Sequence, residues 1–274
     1  MHVHHTPDLT MPTRTDALGI ARQAREMGMR AIVLKNQSYP TAPLAAMVSQ
    51  LVPEVKVFGS ICLDYEVGGL NPDALEASAK LGARVVWMPT HSAKTAMKSD
   101  RLSGVTGDGK GLSVLEAENK LVPEMGRILS LIKEYDMVLA SGHISSRETI
   151  ALVEAALAIG ISKCVVTHAS THSFERSPNL EEQHRLGQMG AFIEYVYVGF
   201  LPNEVRNDPQ QLVKAIRGVG AEHCIISTDL GQYYNPLPAE GMRMFIALLL
   251  KTGISEREIE LMAKVNPAKL LGLD

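Results

Sequence analysis

The stretch HCIISTD, His223–Asp229, decides how this chain is read. Its apolar core, Cys224, Ile225 and Ile226, is too short for a buried helix and rich in β-branched residues, so it reads as a strand covered on both faces. The segment before it, DPQQLVKAIRGVG (Asp208–Gly220), reads as a helix. Asp208 can cap its first turn, Pro209 suits the first helical position, and Gly220 can take the left-handed conformation that ends a helix. A helix delivers the chain to a buried strand, and the strand ends on a polar group, Asp229.

The same cadence repeats outward to the N-terminus. The other strand-like runs are HVHH (His2–His5), RAIVLK (Arg30–Lys35), KVFGSICL (Lys56–Leu63), RVVWMP (Arg84–Pro89), MVLASGH (Met137–His143), KCVVTH (Lys163–His168) and AFIEYVY (Ala191–Tyr197). Between them lie helical patterns such as RTDALGIARQAREMG, with Ala17, Ile20, Ala21, Ala24 and Met27 on one face. Glycines at 28, 82, 160, 190 and 220 mark helix ends, and Asn71-Pro72 marks another start. Strands alternating with helices predict an α/β fold, a (β/α)8 TIM barrel, with extra helices in GISEREIELMAKVNPAKLLGLD at the end of the chain. A doubly wound open sheet is the rival, but no GxGxxG turn follows any strand. No composition break or linker divides residues 1–274, so one domain is expected. The connection from Thr90 to about Asp136 is long; it predicts a loop over the barrel mouth and then a long helix from about Val114.

Composition narrows the partners. The 274 residues carry a net charge of −3 and no Lys/Arg cluster, which argues against nucleic acid. The longest apolar runs fall short of the roughly 20 residues of a membrane span. The N-terminus has no apolar signal segment. Three cysteines, Cys62, Cys164 and Cys224, sit in strand-like runs without a CxxC pair, and read as buried thiols in a reducing compartment, the cytoplasm. A small-molecule substrate and association into a homo-oligomer are the remaining partner expectations.

In a (β/α)8 barrel the reacting groups stand at the C-terminal ends of the strands. Here those ends carry His2, His4, Lys35, Asp64, His91, His143, His168, Glu194 and Asp229. His2 and His4 are two apart on a strand and share a face, with His5 on the other. Each histidine alone reads as well as a structural residue, and Asp229 alone as a helix cap. Together, His2, His4, His143, His168 and Asp229 lie at one end of one barrel, which predicts a site for Zn, Mn, Fe or Ni. Lys35 and His91 are expected to hold substrate, in particular an anionic part. Glu194 is placed with them; as a mid-strand carboxylate it needs a partner, either a ligand histidine or a second metal. His172, Arg176, Tyr233, Tyr234 and Asn235 are loop residues that could shape substrate binding.

This pattern resembles the amidohydrolase superfamily of metal-dependent hydrolases: HxH on strand one (His2, His4), histidines ending strands five and six (His143, His168), an aspartate ending strand eight (Asp229) and a C-terminal NPAKLLGL (Asn266–Leu273). More narrowly, VLKNQ, SGHIS, THAS and STDLGQYYNPLPAEG are similar to the DUF6282 family. The resemblance implies a metal-activated water that cleaves an amide, lactone or other ester. It assigns His2, His4, His143 and Asp229 to the first metal. His168 matches a residue that holds a second ion or faces the substrate. Asp229 would act as general base and then acid, and His168 would polarise the scissile carbonyl. Strand four lacks the lysine that often bridges two metals, so one divalent ion, zinc first, is expected, with a second open through His91, His168 or Glu194. Met1 directly precedes His2, so either the native start lies upstream or the first stave is short. A decarboxylase or phosphoesterase on the same ligands is the rival among enzymes, and a non-catalytic metal- or ligand-binding barrel the rival outside them.

Overall fold

A computed structural model describes residues 1–97, 110–117, 119–169, 177–202 and 207–273. Eight parallel strands form one sheet in sequence order. They are β1 Val3–His4, β2 Ala31–Lys35, β3 Lys56–Cys62, β4 Ala83–Trp87, β5 Val138–Ala140, β6 Cys164–Val166, β7 Phe192–Val196 and β8 Cys224–Ser227. The sheet curls until its ends meet: Val3 bridges Leu230, His4 N donates to Leu230 O at 2.8 Å and Asp229 N to His2 O at 3.0 Å. Helices alternate with the strands: α1 Ala17–Glu26, α2 Ala42–Leu51, α3 Pro72–Lys80, α4 Glu124–Glu134, α5 Ser146–Ala158, α6 Leu180–Gln188, α7 Pro209–Val219 and α8 Pro238–Lys251. The architecture is a TIM-barrel-like α/β fold with C-terminal helices over Glu256–Glu260 and Asn266–Leu271, joined by a π turn.

The punctuation follows the residues. Asn71 accepts from the amides of Asp73 and Ala74 ahead of Pro72, and Asp208 accepts from Gln210 N ahead of Pro209. Glycines 28, 82, 160, 190 and 220 all lie at positive φ.

One segment departs from expectation. No helix runs from Val114; Leu115–Ala117 and Lys120–Leu121 form a small hairpin, with Asn119 at φ +54 in the turn. Pro123 caps α4, and a proline in a helix interior would lose a hydrogen bond and clash with the preceding turn, so the helix begins only after it. Glu148 holds the start of this segment, accepting from Val114 N (3.0 Å) and Ser113 Oγ (2.6 Å). The polar loop expected over the mouth falls largely on residues 98–109, outside the described residues.

Strand alternation sorts the side chains into two layers. Ile61, Val86, Leu139, Val166, Ile193 and Ile226 face the helices in the main core. Val33, Val85, Trp87, Val138, Ala140, Val165, Phe192 and Ile225 fill the barrel interior, joined by Leu270, Leu271 and Leu273 of the C-terminal segment. Asn266 anchors that segment by donating to Ala221 O (2.9 Å) and Cys224 O (2.7 Å), at the start of β8. The apolar plug therefore closes the end where the strands begin. By the same alternation His2, His4, Lys35, Glu194 and Asp229 point inward at the other end. All three cysteines are buried free thiols. Among the described residues no helix is long and apolar enough to cross a membrane.

Candidate metal centre

β1 contributes the first two groups. Val3 packs against the helices, so His2 and His4 turn into the barrel, where both are buried. β8 ends beside them, and Asp229 follows at φ +55. His168 follows β6 at φ +56. Non-glycine residues enter this left-handed region at a cost of roughly 1–2 kcal/mol. His168 and Asp229 both aim their side chains at one point.

At that point three imidazole nitrogens meet one carboxylate. His2 Nε2 lies 3.0 Å and His4 Nε2 2.9 Å from Asp229 Oδ1, and His168 Nε2 lies 3.1 Å from Asp229 Oδ2. Ligand atoms of His2, His168 and Asp229 lie within 4.8 Å of one another. Two charged groups flank His2. Glu194 Oε2 is 3.2 Å from Nδ1, and the Lys35 ammonium is 2.9 Å from Nε2 and 4.7 Å from the centre of the Trp87 ring. Lys35 is completely buried; it pairs in register with His4 and is too deep for its amine to reach solvent.

The hydrogen-bond inventory fits a cation at this place. His2 Nδ1–H serves Glu194, which leaves a lone pair on Nε2; that lone pair accepts from the Lys35 ammonium and lies beside a carboxylate oxygen. His4 Nδ1 and Glu194 Oε1 are buried without hydrogen-bond partners. Imidazole and carboxylate together suit Zn, Mn or Fe.

The surroundings set the charge states. Burial pushes His4 down to about 4, against the pull of Asp229. Burial also lowers His168, with Asp229 opposing. Burial alone would raise Asp229 and Glu194. The His2 and His168 imidazoles hold Asp229 well below the usual carboxylate range, and His2 holds Glu194 down to about 2.

The remaining expected residues spread outward from this point. His143 lies outside the His2–His168–Asp229 group; its ring packs 4.8 Å from His168 and 6.0 Å from His91. His91 Nδ1 is 3.1 Å from Thr10 Oγ1. Glu194 stands behind His2 rather than at an open surface, and His5 is buried beside Tyr39. Asp64 serves the backbone near it. It accepts from Thr90 N (2.8 Å), Ser92 N (2.9 Å) and Thr90 Oγ1 (2.5 Å), fixing the loop that carries His91. Asn235 is buried, whereas Tyr233 and Tyr234 are exposed. His172 and Arg176 lie outside the described residues.

Residues 1–194 match the model of the family of unknown function DUF6282. The chain belongs to the DUF6282 family. A search of the curated proteins finds no match. Among solved structures, this DUF6282 barrel is similar to the probable dipeptidase PvdM from Pseudomonas aeruginosa (TM-score 0.64, 13% identity, 95% of this chain and 88% of that one). It is likewise similar to an amidohydrolase from Pseudomonas aeruginosa (0.64, 13%, 98% and 93%). A third is the organophosphorus hydrolase from Deinococcus radiodurans (0.61, 15%, 99% and 92%). At these identities the likeness is one of fold.

Sequence reasoning about this DUF6282 chain missed Trp87, Asp8 and Thr10. The Trp87 ring lies 4.7 Å from that of His2. Its two-residue offset from Val85 puts both on one face of β4, but the fold decided which face turned inward. Asp8 and Thr10 carried no such signal, because their position depends on a loop that crosses to the end of β4.

Proposed function

We propose that this protein is a metal-dependent hydrolase of a small substrate, cleaving an amide, lactone or other ester. One observation carries the reading: the Nε2 atoms of His2, His4 and His168 lie 2.9–3.1 Å from the oxygens of Asp229, at the barrel end where such folds place their chemistry. His2, His168 and Asp229 would hold the ion, with His4 in contact through Asp229 and His143 completing the set on the open side. A divalent ion held there, zinc first, would supply a water of lowered pKa and polarise the scissile carbonyl. Asp229, held ionised by its imidazole neighbours, takes the proton from the attacking water and returns it to the leaving group. His168, kept neutral by burial, would offer its Nε2 lone pair to the ion. Glu194 fixes the tautomer of His2, and Lys35 offsets the two buried carboxylates. His91 faces the substrate from the β4 end.

The amidohydrolase and the probable dipeptidase among the structural neighbours support the amide reading, and the organophosphorus hydrolase makes phosphate esters a second class to examine. The test is elemental analysis of untagged protein, followed by chelation, reloading with Zn, Mn, Fe or Ni, and assay on amides, lactones, carboxylic esters and phosphate esters. The expected result is about one ion per chain in the parent. Hydrolysis should return on reloading and be absent in Asp229→Asn. A protein that binds no divalent ion, or an Asp229→Asn variant as active as the parent, overturns the proposal.

A further inference from the structure

A second polar chain, outside the metal centre, ends on His91. Asp8 Oδ1 accepts from the backbone amides of Thr10 and Met11, both at 2.9 Å, and from the Thr10 hydroxyl at 3.0 Å. An ionised carboxylate only accepts, so the Thr10 hydroxyl proton points at Asp8 and the oxygen lone pairs remain. His91 Nδ1 lies 3.1 Å from that oxygen, and the bond this leaves open is Nδ1–H donating to Thr10 Oγ1. A neutral imidazole has one N–H, so Nε2 is then a bare acceptor. Asp64 holds the flanking residues Thr90 and Ser92, so the ring sits on a fixed loop. The rings of His91, His143 and His168 follow one another at 6.0 and 4.8 Å, so one ring separates His91 from the metal centre.

We propose that Asp8 and Thr10 are positioning residues that lock His91 in its Nδ1–H tautomer, and that His91 Nε2 accepts a hydrogen bond from an N–H or O–H group of the substrate. The recognition half rests on the hydrolase reading; the tautomer half does not. It follows that the part of the substrate beside His91 is a hydrogen-bond donor, not the anion that the sequence alone suggested.

Nitrogen-15 long-range correlation spectra of metal-free protein labelled at its nine histidines read the tautomer directly. They are recorded at about pH 8, above the ordinary histidine pKa, with His91→Gln to assign the signals. The parent and Thr10→Ser should show His91 as Nδ1–H, and the near-isosteric Thr10→Val should shift it towards Nε2–H. An Nε2–H or doubly protonated His91 in the parent overturns the lock, as does an unchanged tautomer in Thr10→Val. Recognition is read on zinc-loaded enzyme with an anilide bearing a free N–H and its N-methyl counterpart. Thr10→Val should narrow the preference for the free N–H by about five-fold, the worth of one ordinary hydrogen bond, and Thr10→Ser should restore it. An equal fall for both substrates overturns the recognition half while leaving the hydrolase reading intact.

Discussion

His2 is the residue on which the site turns, because its two ring nitrogens do different work. Nδ1 faces Glu194 and Nε2 faces Asp229 and Lys35. A carboxylate behind a ligand histidine fixes its tautomer and raises its basicity, and losing such a partner commonly weakens metal binding about 10–100-fold. Glu194→Gln is therefore expected to lower zinc affinity by that factor in chelator-competition titrations, with the fold retained by circular dichroism. Unchanged affinity would show that Glu194 does not tune His2. Lys35 shows where residue-level reading reached its limit. Its place at a strand end was legible, but whether its amine pointed to water or into the barrel depended on the register of β1 against β2.

Among the elements, the closure between β1 and the end of β8 is the most exacting. Gly231 lies at φ +153, and a Cβ there would overlap the carbonyl of His4. Gly231→Ala is thus expected to destabilise the protein by about 3 kcal/mol and to weaken metal binding, since it displaces the backbone that carries His4. Gly28→Ala is the comparison: no atom lies near that Cβ, so only its φ of +68 resists, and the loss should be about 1 kcal/mol. Urea midpoints of the two variants measure the difference; equal losses would refute the closure argument. The strands and the caps at Asn71 and Asp208 were readable because their signals are local. The hairpin at Leu115–Leu121 was not, because pairing across Asn119 competes with a helical pattern of similar strength in the same residues.

At the scale of the whole molecule, a largely buried polar centre above an apolar plug ties stability to pH. The unfolded His4 takes up a proton near 6.5, whereas the folded one resists until about 4. Between those values the unfolded chain binds more protons, so stability falls as the pH drops, by up to about 1.4 kcal/mol per unit for each such group. Glu194 acts in a lower window: its folded value of about 2 lies below the ordinary 4.5, and the stability it contributes above that range is lost on further acidification. Metal-free protein should therefore show urea midpoints that decline from pH 7 to 5.5 and again to 4, with bound zinc delaying the first decline. A flat profile over that range would contradict the buried, neutral state of His4.

The sequence by itself determined the alternation of strands and helices, the polar strand ends and the kinds of donor gathered there. Periodicity, capping and composition are properties of neighbouring residues, and they survive without knowledge of the fold. Tertiary structure alone decided which donors touch. His2 and Asp229 are 227 positions apart, and only closure of the sheet brings Asp229 N onto His2 O. It also decided that Lys35 and Glu194 flank His2, and that Asp8 and Thr10 reach His91. Those distances follow from strand register and from loops that cross between strands, and no local pattern encodes either.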